Sequence, residues 1–240
     1  MLTVFLIFIV LLAFIFLGFP IFMSLLITGI LFLTLGGNSL GLTVIKMFGS
    51  ANSLSLLAIP YFVIAGNIIM KARITDKLVN FADAAVGWLP GGLGHVNVLT
   101  SMIFGGIQGS GCADAAAIGG MLIPAMEKQG YDKDYSVAVT AGSSMLSPII
   151  PPSIAMILYS YYTEVPVGRL FMGALVPGIL LGLLQMGVVY LEYRLRKYDI
   201  RRTRFSLRNL LTTAWHSLGA LMMPLIILSC LLYTSDAADE

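Results

Sequence analysis

The first 45 residues contain no charged side chain, and this uncharged run limits the possible folds more than any other feature of the sequence. Of the 240 residues, 58% are hydrophobic and 11% are charged, and the mean hydropathy is +0.92. A soluble domain carries about 25% charged residues, and a soluble core of this size could not bury so much apolar surface. The sequence therefore predicts an all-α polytopic membrane protein.

Residues 1–70 are predicted to form the N-terminal transmembrane helices. A span needs about 20 apolar residues, so Leu2–Leu35 is too long for one upright span and short for two. Gly18-Phe19-Pro20 interrupts it, which fits either two short spans or one kinked, tilted helix. Leu54–Met70 is predicted to be a further span, kinked at Pro60.

Residues 71–90 alternate charged and apolar side chains at helical spacing. Lys71, Asp76 and Lys77 interrupt apolar positions that recur every three or four residues, and Trp88 follows. This spacing predicts an amphipathic helix that lies in the membrane interface, with Trp88 at headgroup level.

Gly105–Gly120 is a glycine-rich polar segment inside an apolar region. It includes Gln108, Ser110 and Asp114. The flanking segments Gly94–Ile107 and Cys112–Lys128 are short for full crossings. They fit a re-entrant helical hairpin over residues 91–128 or two tight transmembrane helices. We favour the hairpin because both flanking segments are short for a full crossing.

A second break interrupts the uncharged segment of residues 135–162. Ser147-Pro148-Ile149-Ile150-Pro151-Pro152-Ser153 contains three prolines, which remove backbone donors and must open a helix. Phe171–Leu191 is predicted to be the next span, with a break at Pro177-Gly178 as one interpretation. Residues 91–193 are then one unit with a hairpin and a broken helix.

Residues 194–208 carry seven basic side chains and one acid. Such a bias marks a cytoplasmic loop rather than a nucleic-acid surface, and lipid head groups are its expected partners. Residues 194–216 are therefore predicted to be a basic cytoplasmic connection, and residues 217–229 start another helix.

Many short motifs occur in the order found in one transporter family. These are Leu57-Ala58-Ile59-Pro60, Val96-Asn97-Val98, Ser101-Met102, Phe104-Gly105-Gly106-Ile107, Gly109-Ser110, Ala113-Asp114, Ile123-Pro124, Gly130-Tyr131, Ala138-Val139-Thr140, Ser143-Ser144, Pro148-Ile149-Ile150-Pro151-Pro152-Ser153, Gly168, Leu170-Phe171 and Pro177-Gly178. Over roughly residues 1–229, the chain resembles the DctM-like large membrane subunit of tripartite ATP-independent periplasmic (TRAP) transporters.

The resemblance implies a sodium-driven importer of organic anions, such as C4-dicarboxylates, sialic acid or sugar acids, in the bacterial inner membrane. Its expected partners are a small four-helix membrane subunit and a periplasmic solute-binding protein. The family fold is an elevator built on inverted repeats, with residues 1–70 as scaffold. No cofactor is expected apart from sodium as the coupling ion.

The chain also departs from the family pattern. Gln108 stands where the family usually has Ser, Gly111 and Cys112 replace more usual small residues, and Ala155 stands where Pro is common. The family is nearly twice as long, so the chain holds the first repeat and the opening of the second, and we expect this fragment to be inactive alone. Residues 230–240 resemble the translation of a sequencing adaptor, and we favour an artefact over the alternative of a natural polar tail.

Within this resemblance, oxygen ligands for sodium are expected at both breaks, since broken helices expose carbonyls that hydroxyls supplement. The sodium candidates are Gly109, Ser110, Ser143, Ser144 and Pro148. An organic anion would need N–H donors at the starts of half-helices, and the substrate candidates are Gln108, Gly109, Ser110, Gly111, Asp114, Pro151, Pro152 and Ser153.

Structural roles are the alternative for several of these residues. Small residues also allow close helix packing in membranes. Asp114 could cap free N–H groups in the first turn of a half-helix, and Asn97 is expected to bond between helices.

Functions of other classes are less well supported. An intramembrane enzyme with Ser110 as nucleophile lacks a Gly-x-Ser-x-Gly motif, and the histidines are His95 and His216. A third alternative is a non-transporting scaffold or a channel, and the two polar breaks in one repeat argue against a pure scaffold. The chain is therefore predicted to be a transporter subunit and not an enzyme.

Overall fold

The computed structural model describes residues 2–37, 39–51, 54–71, 74–196 and 205–223, together with residues 226 and 229. These residues form helices, turns and bends without a β-strand. Residues 197–204 of the basic connection and the segment 230–240 lie outside the described residues, as does most of 224–229. The chain divides into two compact units, Met1–Leu54 and Ser55–Glu240.

The first unit consists of three short helices: α1 (Leu2–Phe16), α2 (Ile21–Leu35) and α3 (Leu40–Ala51). Leu2–Leu35 therefore forms two helices and not one kinked helix. Gly18 has a φ of +86°, which favours glycine, and Pro20 immediately precedes the first turn of α2. With 15 residues each, α1 and α2 are about 22 Å long at 1.5 Å per residue.

The second unit begins with α4 (Leu54–Lys71), which contains Pro60, and α5 (Ile74–Val86). The amphipathic pattern of α5 is visible in its burial, because Leu78 and Ala82 are fully buried while Lys77 is exposed. A later helix, α11 (Leu207–His216), packs against α5.

Helices α5 and α11 run antiparallel. Near the start of α5, the Ser217 hydroxyl donates a hydrogen bond of 2.9 Å to the Lys77 carbonyl. Past the end of α5, the rings of Trp88 and Phe205 meet edge to face at 5.8 Å. Ser217 directly follows α11 and Phe205 precedes it, so the start of α5 lies beside the end of α11 and the end of α5 lies beside the start of α11.

The centre of the second unit is α6. The elements after α5 are α6 (Gly92–Gln108), α7 (Gly111–Lys128), α8 (Lys133–Ser144), α9 (Ile154–Thr163) and α10 (Val167–Arg196). Helix α6 is in contact with α5, α7, α8 and α10. Its Phe104 and Ile107 are fully buried in a core with Ile118, Leu122 and Met126 of α7. These apolar contacts hold α6 and α7 together along the hairpin.

Helix α10 is longer and more regular than the sequence indicated. It covers Val167–Arg196 and continues through Pro177, so the interruption at Pro177-Gly178 is wrong. Proline is tolerated in a membrane helix where neighbouring groups satisfy the carbonyl that loses its hydrogen bond. The next residue, Gly178, leaves room for the Ile150 side chain, because a Cβ at position 178 would lie 2.9 Å from Ile150 Cγ1.

Among the described residues, α10 is the one helix that is both long and apolar enough to cross a bilayer by length and composition. Thr3–Phe16, Ile21–Leu35 and Ile59–Ile68 are shorter apolar helical segments.

Candidate functional site

The hairpin of α6 and α7 turns through only two residues, Gly109 and Ser110. Gly109 has a φ of +63°, in the left-handed region, and its N–H bonds to the Gly105 carbonyl at 2.9 Å. Only glycine adopts this conformation without strain, so Gly109 both ends α6 and allows the chain to reverse.

The tip of this hairpin packs against the backbone of the proline-rich break. A Cβ added at Gly109 would lie 2.5 Å from the Pro152 carbonyl oxygen, and one at Gly105 would lie 2.7 Å from Ser147 Cα. A Cβ at Gly111 would lie 2.9 Å from the Ser144 carbonyl oxygen. The two polar breaks are therefore one site, and its glycines are required for backbone-to-backbone contact.

The break between α8 and α9 leaves carbonyl oxygens without hydrogen-bond donors. In the described part of the chain, no N–H or hydroxyl donates to the carbonyls of Ser147, Ile149, Ile150, Pro151 or Pro152. The prolines supply no N–H of their own. The Gly109 carbonyl at the facing tip also has no donor among the described residues. Hard cations bind such oxygens.

The start of α7 leaves N–H groups without acceptors. The Ser110 side chain makes no capping bond, and the first N–H to bond back is that of Asp114, to the Ser110 carbonyl at 3.0 Å. The N–H groups of Gly111, Cys112 and Ala113 therefore have no acceptor among the described residues. The positive end of the helix dipole lies beside the free carbonyls of the break.

The start of α9 differs because Ser153 already caps it. The Ser153 hydroxyl accepts from the Met156 N–H at 3.4 Å and donates to the Pro148 carbonyl at 2.7 Å. Ser153 is fully buried. At the α9 end, the N–H groups of Ile154 and Ala155 have no acceptor among the described residues, compared with three such N–H groups at the α7 end. The Ser153 hydroxyl holds the break together through its bond to the Pro148 carbonyl.

Asp114 extends from α7 to the break. It is fully buried, and its Oδ2 accepts a hydrogen bond of 2.8 Å from the Ser147 hydroxyl. Its Oδ1 has no partner in the described residues, and no N–H of α7 bonds to the carboxylate. The capping interpretation of Asp114 is therefore wrong, and the side chain connects the hairpin to the break.

Ser143 belongs to a polar network between α6 and α8. Its hydroxyl donates to Asn97 Oδ1 at 2.8 Å and accepts from the Ser101 hydroxyl at 3.1 Å. Asn97 also donates to Thr140 Oγ1 at 2.7 Å, which confirms its predicted role between helices. The Ser144 hydroxyl bonds locally to the Ala141 carbonyl at 2.9 Å. The Ser143 and Ser144 hydroxyls are thus already bonded within the protein.

Gln108 and Ser110 are the tip side chains with unused bonding capacity. Gln108 is buried, its Oε1 has no partner among the described residues, and its Cγ would be 3.0 Å from a Cβ on Gly66 of α4. Ser110 is partly exposed and makes no hydrogen bond through its side chain in the described part.

Ser147 is the site residue that the sequence analysis did not select. It begins the proline-rich run, and Ser101, in α6, is a further polar neighbour of Asp114. A polar residue in each break was a signal for a contact between them. Nothing in the spacing specified that Asp114 would meet Ser147 and not Ser144.

Comparison with known proteins decides the family. A model of the tripartite ATP-independent periplasmic transporter, DctM component, matches residues 8–239. The chain belongs to this DctM family. The DctM match extends into the segment 230–240 that the sequence analysis set apart.

Curated DctM relatives match most of the chain. It is 34% identical over 214 residues to the sialic acid TRAP transporter permease protein SiaT of Haemophilus influenzae, which covers 89% of the chain and 35% of SiaT. It is 38% identical over 184 residues to the C4-dicarboxylate TRAP transporter large permease protein DctM of Pseudomonas aeruginosa, which covers 77% of the chain and 43% of that protein. The chain thus spans less than half the length of these two relatives.

A third DctM relative is named for another compound. The chain is 37% identical over 181 residues to the isethionate TRAP transporter permease protein DctMQ of Oleidesulfovibrio alaskensis, which covers 75% of the chain and 28% of that protein. The three relatives are thus named for a sugar acid, a dicarboxylate and a sulfonate.

The relatives are named as transporter permeases and not as enzymes. The geometry agrees. His95 bonds through Nε2 to the Pro90 carbonyl at 2.8 Å, at the start of α6. Ser110 lies past the other end of α6, about 20 Å away along the helix, so His95 is not available to activate its hydroxyl.

Proposed function

We propose that this DctM chain supplies half of a sodium and organic-anion site in the large permease subunit of a solute importer. The observation that carries the proposal is the docking of the Gly109–Ser110 tip on Pro152 and Ser153. This contact combines carbonyl oxygens without donors and N–H groups without acceptors in one place.

The break supplies the oxygens for sodium. Carbonyls at Ser147, Ile149 and Pro151 have no donors in the described part of the chain, and the partly exposed Ser110 hydroxyl is not engaged. Sodium bound there would receive oxygen ligands without breaking existing bonds. Ser143 and Ser144 are weaker ligands in this proposal, because their hydroxyls already make internal bonds.

The α7 end supplies donors for the acidic group of the substrate. Free N–H groups at Gly111, Cys112 and Ala113 lie at the positive end of the helix dipole. Sialic acid, C4-dicarboxylates and isethionate, for which the relatives are named, all carry a carboxylate or sulfonate. An organic anion is therefore the substrate class that we propose.

The remaining features of the transporter follow from the family. We propose a location in the bacterial inner membrane, with residues 194–208 in the cytoplasm, and an elevator motion of two inverted repeats, each with a re-entrant hairpin. The partners would be a small four-helix membrane subunit and a periplasmic solute-binding protein. The 240-residue chain alone would not transport, because half a site cannot enclose a substrate.

Uptake measured with the complete permease and both partners tests the proposal. Proteoliposomes with inward gradients of sodium or of choline should differ, with accumulation of the radiolabelled anion only in sodium. Uptake that is the same in choline would overturn sodium coupling. Uptake without the solute-binding protein would remove that partner from the proposal.

A further inference from the structure

A polar cleft lies between the antiparallel helices α5 and α11. It has a volume of about 380 Å³ and is lined by Lys77, Asn80, Thr212, Thr213, His216 and Ser217. No acidic side chain is among the described residues that line it. Since Lys77 makes no ion pair within the described residues, its ammonium group gives the cleft a positive charge that nothing in the described part neutralises.

A second cleft on α11 adjoins the first and is mostly apolar. It has a volume of about 460 Å³, and Leu207, Leu211 and Trp215 form its walls. Arg208 also lines it and, like Lys77, has no ion pair in the described part of the chain. Thr212 and His216 line both clefts, so a basic, polar cleft continues into an apolar one.

The surroundings match the edge of a bilayer. Helix α5 is amphipathic, with Leu78 and Ala82 buried, and α11 exposes Leu211 and Trp215 beside charged and polar residues. Tryptophan and basic side chains are enriched at the level of lipid head groups. A free phosphate ion would use the basic cleft alone, whereas a phospholipid would fill both clefts.

We propose that the junction of α5 and α11 binds an anionic phospholipid. Its phosphate lies where the two clefts meet at Thr212 and His216, between Lys77 of the first cleft and Arg208 of the second, and one acyl chain follows Leu207, Leu211 and Trp215. The lipid fixes two interfacial helices that otherwise meet through the Ser217 hydrogen bond to Lys77 and the contact of Trp88 with Phe205. This site is separate from the hairpin tip and does not depend on the proposed sodium and anion site.

Native mass spectrometry of the full chain released from nanodiscs tests the proposal. One nanodisc contains phosphatidylglycerol and phosphatidylcholine in equal amounts, and another contains phosphatidylcholine alone. We expect one retained phosphatidylglycerol and no retained phosphatidylcholine. Lys77→Gln and Arg208→Gln should each weaken retention about fivefold, as expected for one basic residue at an anionic surface.

Matched variants separate this site from general charge. Lys133→Gln removes an exposed charge from the start of α8 and should leave lipid retention unchanged. Lys77→Arg keeps the positive charge in the cleft and should retain the lipid as the unsubstituted chain does. Trp215→Ala should weaken retention without changing the net charge. Circular dichroism checks that each variant is folded.

Three outcomes would overturn the proposal. Equal retention of both lipids would mean that the site has no preference for an anionic head group. Equal losses in Lys77→Gln and Lys133→Gln would assign the effect to net charge. Displacement of the lipid by millimolar inorganic phosphate, with no effect of Trp215→Ala, would identify a free-anion site instead.

Discussion

The Ser147 hydroxyl donates a hydrogen bond of 2.8 Å to Asp114 Oδ2, and this bond joins the proline-rich break to the first turns of α7. Both side chains are fully buried. A buried carboxylate without donors is costly, so the hairpin and the break are held in one relative position by a contact that neither segment makes alone.

Loss of the Ser147 hydroxyl should destabilise this junction. In Ser147→Ala, Asp114 Oδ2 loses its donor while Oδ1 has none in the described residues, and we expect a loss of about 1–3 kcal/mol in the free energy of unfolding. Ser144→Ala is the control, because the Ser144 hydroxyl bonds within its own helix, to the Ala141 carbonyl, and to no other described residue. Thermal unfolding in detergent measures both, and equal shifts would contradict the assigned role of Ser147.

Substitution of Gly109 should prevent the tip from docking. In Gly109→Ala, the new Cβ meets the Pro152 carbonyl oxygen at 2.5 Å, and the residue must keep a φ of +63°. The conformation alone costs about 1–2 kcal/mol, and the clash adds to it. We expect a lower melting temperature and loss of sodium-dependent uptake in the complete permease.

Gly120→Ala is the matched control for the tip. Gly120 lies within α7, and a Cβ there meets nothing within 4 Å. Alanine in a helix is favoured over glycine by up to about 1 kcal/mol, so stability should be unchanged or higher. A melting temperature that falls as far in Gly120→Ala as in Gly109→Ala would refute the docking argument.

Ser110 and Ser143 should separate ligand binding from packing. Ser110→Ala removes a partly exposed hydroxyl without hydrogen bonds in the described part, so it should raise the sodium concentration for half-maximal uptake severalfold at nearly constant melting temperature. Ser143→Ala breaks bonds to Asn97 and Ser101, so stability should fall by about 1 kcal/mol with little change in sodium dependence. If Ser110→Ala lowers stability and Ser143→Ala changes the sodium dependence, then Ser143 is the sodium ligand and Ser110 is the packing residue.

Tyr131 should stabilise the base of the hairpin through its hydroxyl. It is buried and donates a hydrogen bond of 2.7 Å to the Gly91 carbonyl, just before α6. Tyr131→Phe removes the hydroxyl alone and should cost about 1–2 kcal/mol. Tyr162→Phe is the control because that side chain is 80% exposed, and chemical denaturation compares the two. No difference between them would rule out this hydrogen bond as a stabilising contact.

Much of the helical arrangement could be predicted because glycine and proline act locally. The sequence placed the hairpin helices at Gly94–Ile107 and Cys112–Lys128, and the structure has Gly92–Gln108 and Gly111–Lys128. It placed the second break at Ser147–Ser153, and α8 ends at Ser144 while α9 begins at Ile154. Re-entry of the hairpin from one side of the membrane stays a prediction.

The wrong predictions concern positions where tertiary contacts decide the outcome. Pro177 did not end α10, because an isolated proline in a long apolar helix can be accommodated by its neighbours. The sequence also allows Asp114 to be interpreted as a helix cap, because it lies in the first turns of a half-helix. Its carboxylate instead meets Ser147, which lies 33 residues further along the chain.

The sequence by itself determined the class of the protein, its family and the two places where helices break, since hydropathy, ordered motifs, glycine and proline are properties of the chain read in order. Only the tertiary structure decided which polar groups at those breaks remain available. The Ser153 and Ser143 hydroxyls make internal hydrogen bonds. Among the described residues, no partner is present for the Ser110 hydroxyl, the first N–H groups of α7 or the break carbonyls of Ser147, Ile149, Ile150, Pro151 and Pro152. That division depends on distances between segments, and sequence spacing does not contain them.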